Sequence, residues 1–381
     1  MKILTVFGTR PEVIKLAPVI RQLEGLSPQF QTVNVSSGQH VDLLAPFLRL
    51  FRIRVDYDLR VMQDGQSPSD VCARVLAALS PVIESEEPSL ILVQGDTTTA
   101  LAGALAGFYN HVPVGHVEAG LRSGNPASPY PEEMNRRLIT RLATYHFAAT
   151  PRNRTILISE GIDPENIFVT GNPVVDSINR LLKESSISKE MERLLEPTKE
   201  LRRIVLTTHR RESFGEKMAA NLAVLRGFVE KHNDLALIFP VHPNPSVMGT
   251  ARKKLSGHPR IHLISPLNYE DFIVLLSRAW ILVSDSGGVQ EEAPTLGKPL
   301  LILRENTERP EVIESGVARL AGGDPGRLER MLEEVYSAGS WAETVTKIDN
   351  PFGQGDSGQR IVDVLARVNG SSELKSFRLA G

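Results

Sequence analysis

The sequence predicts an α/β protein with two parallel sheets, each covered by helices on both faces. Three observations predict it. Short apolar runs alternate with longer segments of helical period along most of the chain. One charged run, residues 179–203, interrupts this rhythm, which then restarts. Polar and ionisable residues follow the apolar runs in both halves, as expected where open α/β sheets bind ligands beyond their strand ends. Two similar halves of this size read as two Rossmann-like domains facing each other across a cleft. The length of 381 residues fits two or three domains at about 150 residues each.

In chain order, residues 3–7 read as a buried strand, followed by Gly8, Thr9, Arg10 and Pro11. A helix is predicted over 12–23, with Val13, Leu16, Ala17 and Ile20 on one face. Pro11 suits the first helical position, where its missing N–H costs nothing. Further strands are predicted at 32–35, 90–93, 112–117, 146–149 and 167–170. Helix-like stretches lie between most of them, and this βαβα rhythm argues for a parallel sheet covered on both faces. The 179–203 run is charged, poor in strand formers and contains Pro197, so it reads as a helical connector. Beyond it, strands are predicted at 204–207, 235–239, 261–264, 281–283, 300–303 and 317–320, and a helix over 359–368.

Composition narrows the function. A net charge of −2 argues against broad phosphate-backbone binding to nucleic acid. No apolar run approaches the ~18 residues of a membrane span, and the start lacks a secretory pattern, so a cytoplasmic protein is expected. Cys72 is the single cysteine, which excludes an internal disulfide and a multi-cysteine metal site. A G-x-G-x-x-G after the first strand is missing, as is a G-x-x-x-x-G-K-[ST] run. Nicotinamide and P-loop chemistry are therefore disfavoured. No histidine–carboxylate set has convincing metal spacing, so no metal site is expected.

The strand ends hold the candidate chemistry. Arg10 and Lys15 follow the first strand, Asp96 the 90–93 strand, and Glu118 the 112–117 strand. His209 follows the first strand of the second half, and His242 the second. Ser286, Gly287 and Gly288 open a helix after the 281–283 strand and read as a diphosphate cradle, with backbone N–H groups and the positive dipole end facing an anion. Glu292 stands one turn further on, where a carboxylate can accept from both ribose hydroxyls. Glu132 and Arg136 are four apart at a helix start, where the plain reading is an i,i+4 surface ion pair. Arg10, His209 and Arg309 are the candidate cations for a diphosphate, with Lys15 nearby.

Longer motifs add a resemblance. FGTRPE at 7–12, QGDTTT at 94–99, HVEAGLRS at 116–123 and PEEMNRR at 131–137 resemble the non-hydrolysing UDP-N-acetylglucosamine 2-epimerases. So do GNPVVD at 171–176, THRRES at 208–213, PVHPNP at 240–245, SDSGGVQEEAPTLGKP at 284–299, RENTERPE at 304–311 and NPFGQGDSGQRI at 350–361. The resemblance implies a glycosyltransferase-B-like architecture. An N-terminal domain over 1–171 and a UDP-binding domain over 172–358 are expected, with the segment 359–381 packing back on the first.

The implied reaction inverts C2 of UDP-N-acetylglucosamine to give UDP-N-acetylmannosamine, without cofactor, through elimination and re-addition of UDP around 2-acetamidoglucal. Asp96, Glu118, Glu132, Arg136 and His209 match the family's catalytic set. Arg10, Lys15, Phe272, Ser286, Gly287, Gly288, Glu292 and Arg309 match its substrate contacts. The sequence leaves open which carboxylate gives a proton and which takes it. A homodimer is implied, with no nucleic-acid or membrane partner. An allosteric substrate site would involve Gln39, His40 and His242, but Val41 replaces the arginine of that loop, so activation by substrate is expected to be weak or absent. The alternatives are a 2-epimerase of a modified UDP-sugar and a UDP-sugar glycosyltransferase of the same fold.

Overall fold

Among the described residues thirteen strands form two sheets, and every strand pair in both is parallel. The computed structural model describes residues 1–38, 41–61, 63, 65–184, 187–208, 215–337 and 339–369. The chain divides into two compact units, one of Met1–Ser177 with the segment from Phe352 onward, the other of Ile178–Pro351. Among the described residues no helix is long and apolar enough to cross a membrane.

The first unit holds β1 (Lys2–Phe7), β2 (Gln31–Ser36), β3 (Tyr57–Asp58), β4 (Leu90–Gln94), β5 (Val114–Ala119), β6 (Tyr145–Ala148) and β7 (Ile167–Val169). Their order is β3-β2-β1-β4-β5-β6-β7. The central strands β1 and β4 are largely apolar because helices cover both faces. Leu4, Val6, Ile91 and Val93 share a core with Val75 and Leu79 of helix Pro68–Glu86 and with Ala100 and Ala104 of helix Thr98–Tyr109. Strand order reverses between β1 and β4, which makes their carboxyl ends the expected ligand crevice of this unit. Only β3 escapes the sequence reading. It is two residues long at the sheet edge, too short to carry an apolar run.

The second unit repeats the plan with β8 (Arg202–Thr207), β9 (Leu235–Pro240), β10 (Ile261–Ile264), β11 (Ile281–Ser284), β12 (Leu300–Ile302) and β13 (Ala318–Leu320). Their order is β10-β9-β8-β11-β12-β13, with the reversal between β8 and β11. Ile204, Leu206, Leu237, Phe239 and Val283 pack with Leu222 and Leu225 of helix Glu216–Lys231.

The division after Ser177 falls inside helix Val174–Glu184, later than the expected 171/172. Hydrogen bonds explain the position. Asp176 accepts from the Ser357 and Gly358 amides at 3.2 and 2.9 Å, and the Ser177 hydroxyl donates to the Ile14 carbonyl at 2.6 Å. The chain returns to the first unit at Phe352, ahead of the expected 359. Helix Ser357–Val368 then lies on helix Arg10–Gly25, so close at Gly358 that a Cβ there would stand 3.0 Å from the Pro18 carbonyl. The 179–203 run is largely helical, with helix Lys189–Leu195 and a 3-10 turn Glu196–Thr198.

Candidate functional site

Three strand ends and two helices assemble the chemistry of the first unit. After β1, Thr9 caps helix Arg10–Gly25 in a capping box with Glu12. Glu12 is fully buried and accepts from the Gly8 and Thr9 amides at 2.9 and 2.7 Å and from the Thr97 hydroxyl at 2.6 Å. Burial pushes its carboxyl above the ordinary range, against those hydrogen bonds. Glu12 thereby fixes the β1 loop to the β4 loop across the topological switch. One turn on, Lys15 reaches β5 and pairs with Glu118 at 2.5 Å, with side chains only 7% and 9% exposed.

Glu118 has an unusual backbone. Its φ is +66°, in the left-handed region that costs a non-glycine residue about 1–3 kcal/mol. The register between β5 and β6 shifts there, between Val117 and Ala119. This bulge re-aims the side chain toward the strand ends. Gln94 and Asn172 also donate to its carboxylate, the latter at 3.1 Å. Gly95, with φ +69°, makes the turn after β4, and a Cβ on it would lie 3.7 Å from Glu118 Oε2. Glu118 therefore borders the turn that presents Asp96. His116, two residues earlier in β5, bonds the Gly95 carbonyl at 2.7 Å. Burial pulls its pKa down to about 3, so the ring is neutral and structural.

Asp96 accepts from Arg136 Nε and Nη2 at 2.8 and 2.7 Å. Arg136 also donates to Glu133, at 2.8 Å. The expected i,i+4 pair between Glu132 and Arg136 does not form. Arg136 is buried and turned to Asp96 and to the fully buried Glu133, which outcompete a half-exposed carboxylate. Glu133 also accepts from the Ser123 amide and from Arg137. Among the described residues Glu132 has no hydrogen bond or ion pair. It lines a pocket of about 370 Å³ together with Asp96, Thr9, Thr97, Val71 and Asn135. Asn135 donates to the Asp96 carbonyl at 2.9 Å and so holds the loop of one carboxylate from the helix of the other.

In the second unit the Ser286–Gly288 turn is where the sequence placed it. Ser286 caps helix Gly287–Thr295 at the carboxyl end of β11. The cap is held from beneath, since the Ser286 amide donates to the Ser284 hydroxyl at 3.0 Å and buried Asp285 accepts from Thr208 at 2.7 Å. Glu292 is buried one turn into the helix and accepts from Tyr269 at 3.0 Å. Burial, with the neighbouring Glu292 and Glu291, keeps the Tyr269 hydroxyl protonated far above its usual range. Phe272 is half-buried on the same helix, Tyr269–Ser277. Arg309 bonds Glu291 on helix Gly287–Thr295, and its Nη1 lies 3.5 Å from Glu308.

A family profile described as UDP-N-acetylglucosamine 2-epimerase matches residues 24–366. The UDP-N-acetylglucosamine 2-epimerase of Salmonella typhimurium is 42% identical over 372 residues, 96% of this chain and 98% of that protein. The chain belongs to the UDP-N-acetylglucosamine 2-epimerase family. Among solved structures, the Neisseria meningitidis UDP-GlcNAc 2-epimerase bound to UDP-GlcNAc superposes with a TM-score of 0.89 at 40% identity, covering 96% of this chain and 100% of that one. The Methanocaldococcus jannaschii UDP-GlcNAc 2-epimerase in complex with UDP-GlcNAc and UDP gives a TM-score of 0.80 at 33% identity, with 96% and 100% covered. The fold is thus the glycosyltransferase-B-like class of this epimerase family.

Within this family member, the sequence-predicted residues fall into two groups. Lys15, Asp96, Glu118, Glu132 and Arg136 are connected in the first unit through the contacts above. Phe272, Ser286, Gly287, Gly288, Glu292 and Arg309 gather around one helix of the second. Lys15, expected near a diphosphate, pairs with Glu118. Arg10 is exposed, its guanidinium 5.8 Å over the Phe47 ring. His209, Gln39 and His40 lie outside the described residues. His242 is exposed in the loop after β9, where its Nδ1 accepts from the Asn244 amide at 3.3 Å. The sequence reading passed over Gln94, Asn135, Asn172 and Tyr269. The first three sat inside quoted motifs, whereas Tyr269 had no signal beyond standing three residues before Phe272.

The loop carrying Arg309 is fixed by a buried bidentate pair, Arg304 to Glu308 at 3.0 and 2.9 Å. Burial alone would raise the Glu308 pKa, but Arg304 and Arg309 bring it down to about 2 from 4.5. A carboxylate depressed on folding stabilises above its unfolded pKa, and that stability is lost as pH falls through the folded one. The epimerase is expected to lose about 3 kcal/mol from this group between pH 4.5 and 2. Glu308→Gln should flatten that part of the stability–pH curve, measured by denaturant unfolding.

Proposed function

We propose that this chain interconverts UDP-N-acetylglucosamine and UDP-N-acetylmannosamine by eliminating UDP and adding it back to 2-acetamidoglucal after reprotonation of C2. The observation that carries the reading is the grouping of three carboxylates, Asp96 and Glu132 on one pocket and Glu118 beside the Gly95 turn. Inversion requires the C2–H bond to break. A base takes that proton while the C1–O bond to the diphosphate breaks, leaving the glucal and UDP. A second group then donates a proton to the opposite face of C2 as the diphosphate oxygen re-forms its bond to C1. The side chains available for these transfers are Asp96, Glu118 and Glu132.

Arg136 holds Asp96 in place and Lys15 holds Glu118. The departing diphosphate gathers negative charge and calls for preorganised donors. The Ser286–Gly288 turn at its helix N-terminus and His209 are the proposed ones, with Glu292 accepting from the ribose hydroxyls. A glycosyltransferase would have no use for proton carriers at C2 in the absence of an acceptor. A carboxylated sugar would ask for a further basic contact at C6.

Run in D2O with UDP-N-acetylglucosamine as sole substrate, both UDP-sugars are expected to acquire deuterium at C2, read by NMR. UDP-N-acetylmannosamine whose C2 stays protiated over many turnovers would refute elimination. Failure to form that product without an acceptor would favour the glycosyltransferase.

A further inference from the structure

Glu118 keeps a left-handed backbone within a strand, and such a conformation persists only where the surroundings over-determine it. Lys15 of helix Arg10–Gly25 and Gln94 of β4 hold its carboxylate. The third donor, Asn172, comes from a different place. It is 1% exposed in the loop after β7, and its Nδ2 donates to Glu118 Oε1 at 3.1 Å. Its Oδ1 accepts from the Val174 amide at 3.1 Å, which fixes the orientation of the side-chain amide. Its backbone N–H donates to the Phe352 carbonyl at 2.8 Å. Gly171 before it, at φ +83°, lies so close to the returning segment that a Cβ would meet Ser357 Oγ at 2.6 Å and the Phe352 carbonyl at 2.9 Å. The loop is pinned where the chain re-enters the first unit, and its Asn172 side-chain amide donates to the Glu118 carboxylate.

We propose that Asn172 is a positioning residue for the epimerisation, fixing the Glu118 carboxylate from a loop that the Phe352–Ser357 segment locks. The inference rests on the function proposed above. Two roles of Asn172 are separable, because its oxygen serves Val174 and its nitrogen serves Glu118. Asn172→Asp keeps an acceptor for the Val174 amide but sets a second carboxylate against Glu118, where it competes for Lys15. Asn172→Ala loses both bonds and adds no charge.

Asn172→Asp is therefore expected to turn over more slowly than Asn172→Ala, and its buried second carboxylate beside Glu118 lowers melting as well. Its kcat should fall about 10²-fold, the scale of an ångström misplacement of a reacting group. KM for UDP-N-acetylglucosamine should stay within about twofold in both, since neither variant touches the nucleotide contacts. A kcat of Asn172→Asp above that of Asn172→Ala would overturn the proposal, as would wild-type turnover in either variant.

Where Asn172→Asp melts below Asn172→Ala or does not fold, Asn172→Ser decides the question. Its hydroxyl can accept from Val174 but is too short for Glu118, so near-normal melting with reduced kcat is expected and wild-type kcat would refute the role. A wild-type enzyme that forms no UDP-N-acetylmannosamine refutes the proposed function itself. An active wild type with unaffected variants refutes only the role of Asn172.

Discussion

Glu132→Gln is expected to slow epimerisation by about 10²–10⁴-fold, the usual contribution of a positioned acid or base. Binding of UDP should remain, because the proposed nucleotide contacts at Ser286–Gly288 and Glu292 belong to the other unit. The substitution is informative because Glu132 holds no structural contact. It is half-exposed and makes no hydrogen bond or ion pair among the described residues, so an isosteric amide removes proton transfer and little else. Its neighbour provides the contrast. Glu133 is fully buried and holds Arg136, Arg137 and the Ser123 amide, so Glu133→Gln should cost stability as well as rate. Product formation by NMR, UDP titration by calorimetry and denaturant unfolding separate the two. Turnover of Glu132→Gln within tenfold of wild type would remove Glu132 from the proton chemistry.

Lys15→Met is expected to destabilise the first unit by about 3–5 kcal/mol, the cost of leaving a buried charge without its partner. Lys15 and Glu118 are both almost wholly buried, so solvent cannot replace the lost ammonium. The left-handed backbone of Glu118 adds to the cost, since removing a restraint gives that stored strain a way to relax out of the productive geometry. Lys15→Met/Glu118→Gln should recover much of the loss, because a neutral amide beside a thioether carries no unpaired charge. Denaturant midpoints for the two single variants and the double test this. Equal destabilisation of Lys15→Met and of the double variant would mean that Lys15 stabilises by packing, not by its charge.

Much of the fold was legible because its forces are local or monotonic along the chain. A strand buried on both faces must be apolar throughout, so β1, β4 and β9 announce themselves as apolar runs. The turn that opens helix Gly287–Thr295 was legible too, since Ser286-Gly287-Gly288 stands between an apolar run and a helical pattern. The two-residue β3 had no such signal. Local spacing even misled at the site, because four-residue periodicity offered Arg136 to Glu132 and could not see Asp96.

The sequence by itself determined the two α/β halves, the residue types at the strand ends and the family these motifs resemble. Tertiary structure decided which of those residues meet. Lys15 and Glu118 are 103 positions apart and Asp96 and Arg136 are 40 apart, and both pairs exist because the sheet order sets β1 beside β4 and β4 beside β5. It also decided which adjacent glutamate is anchored and which faces the pocket, by burying Glu133 against Arg136. The physical reason is that a charge taken out of water must find its partner in space, and strand order, which places that partner, is written in contacts between distant segments rather than in any local run of residues.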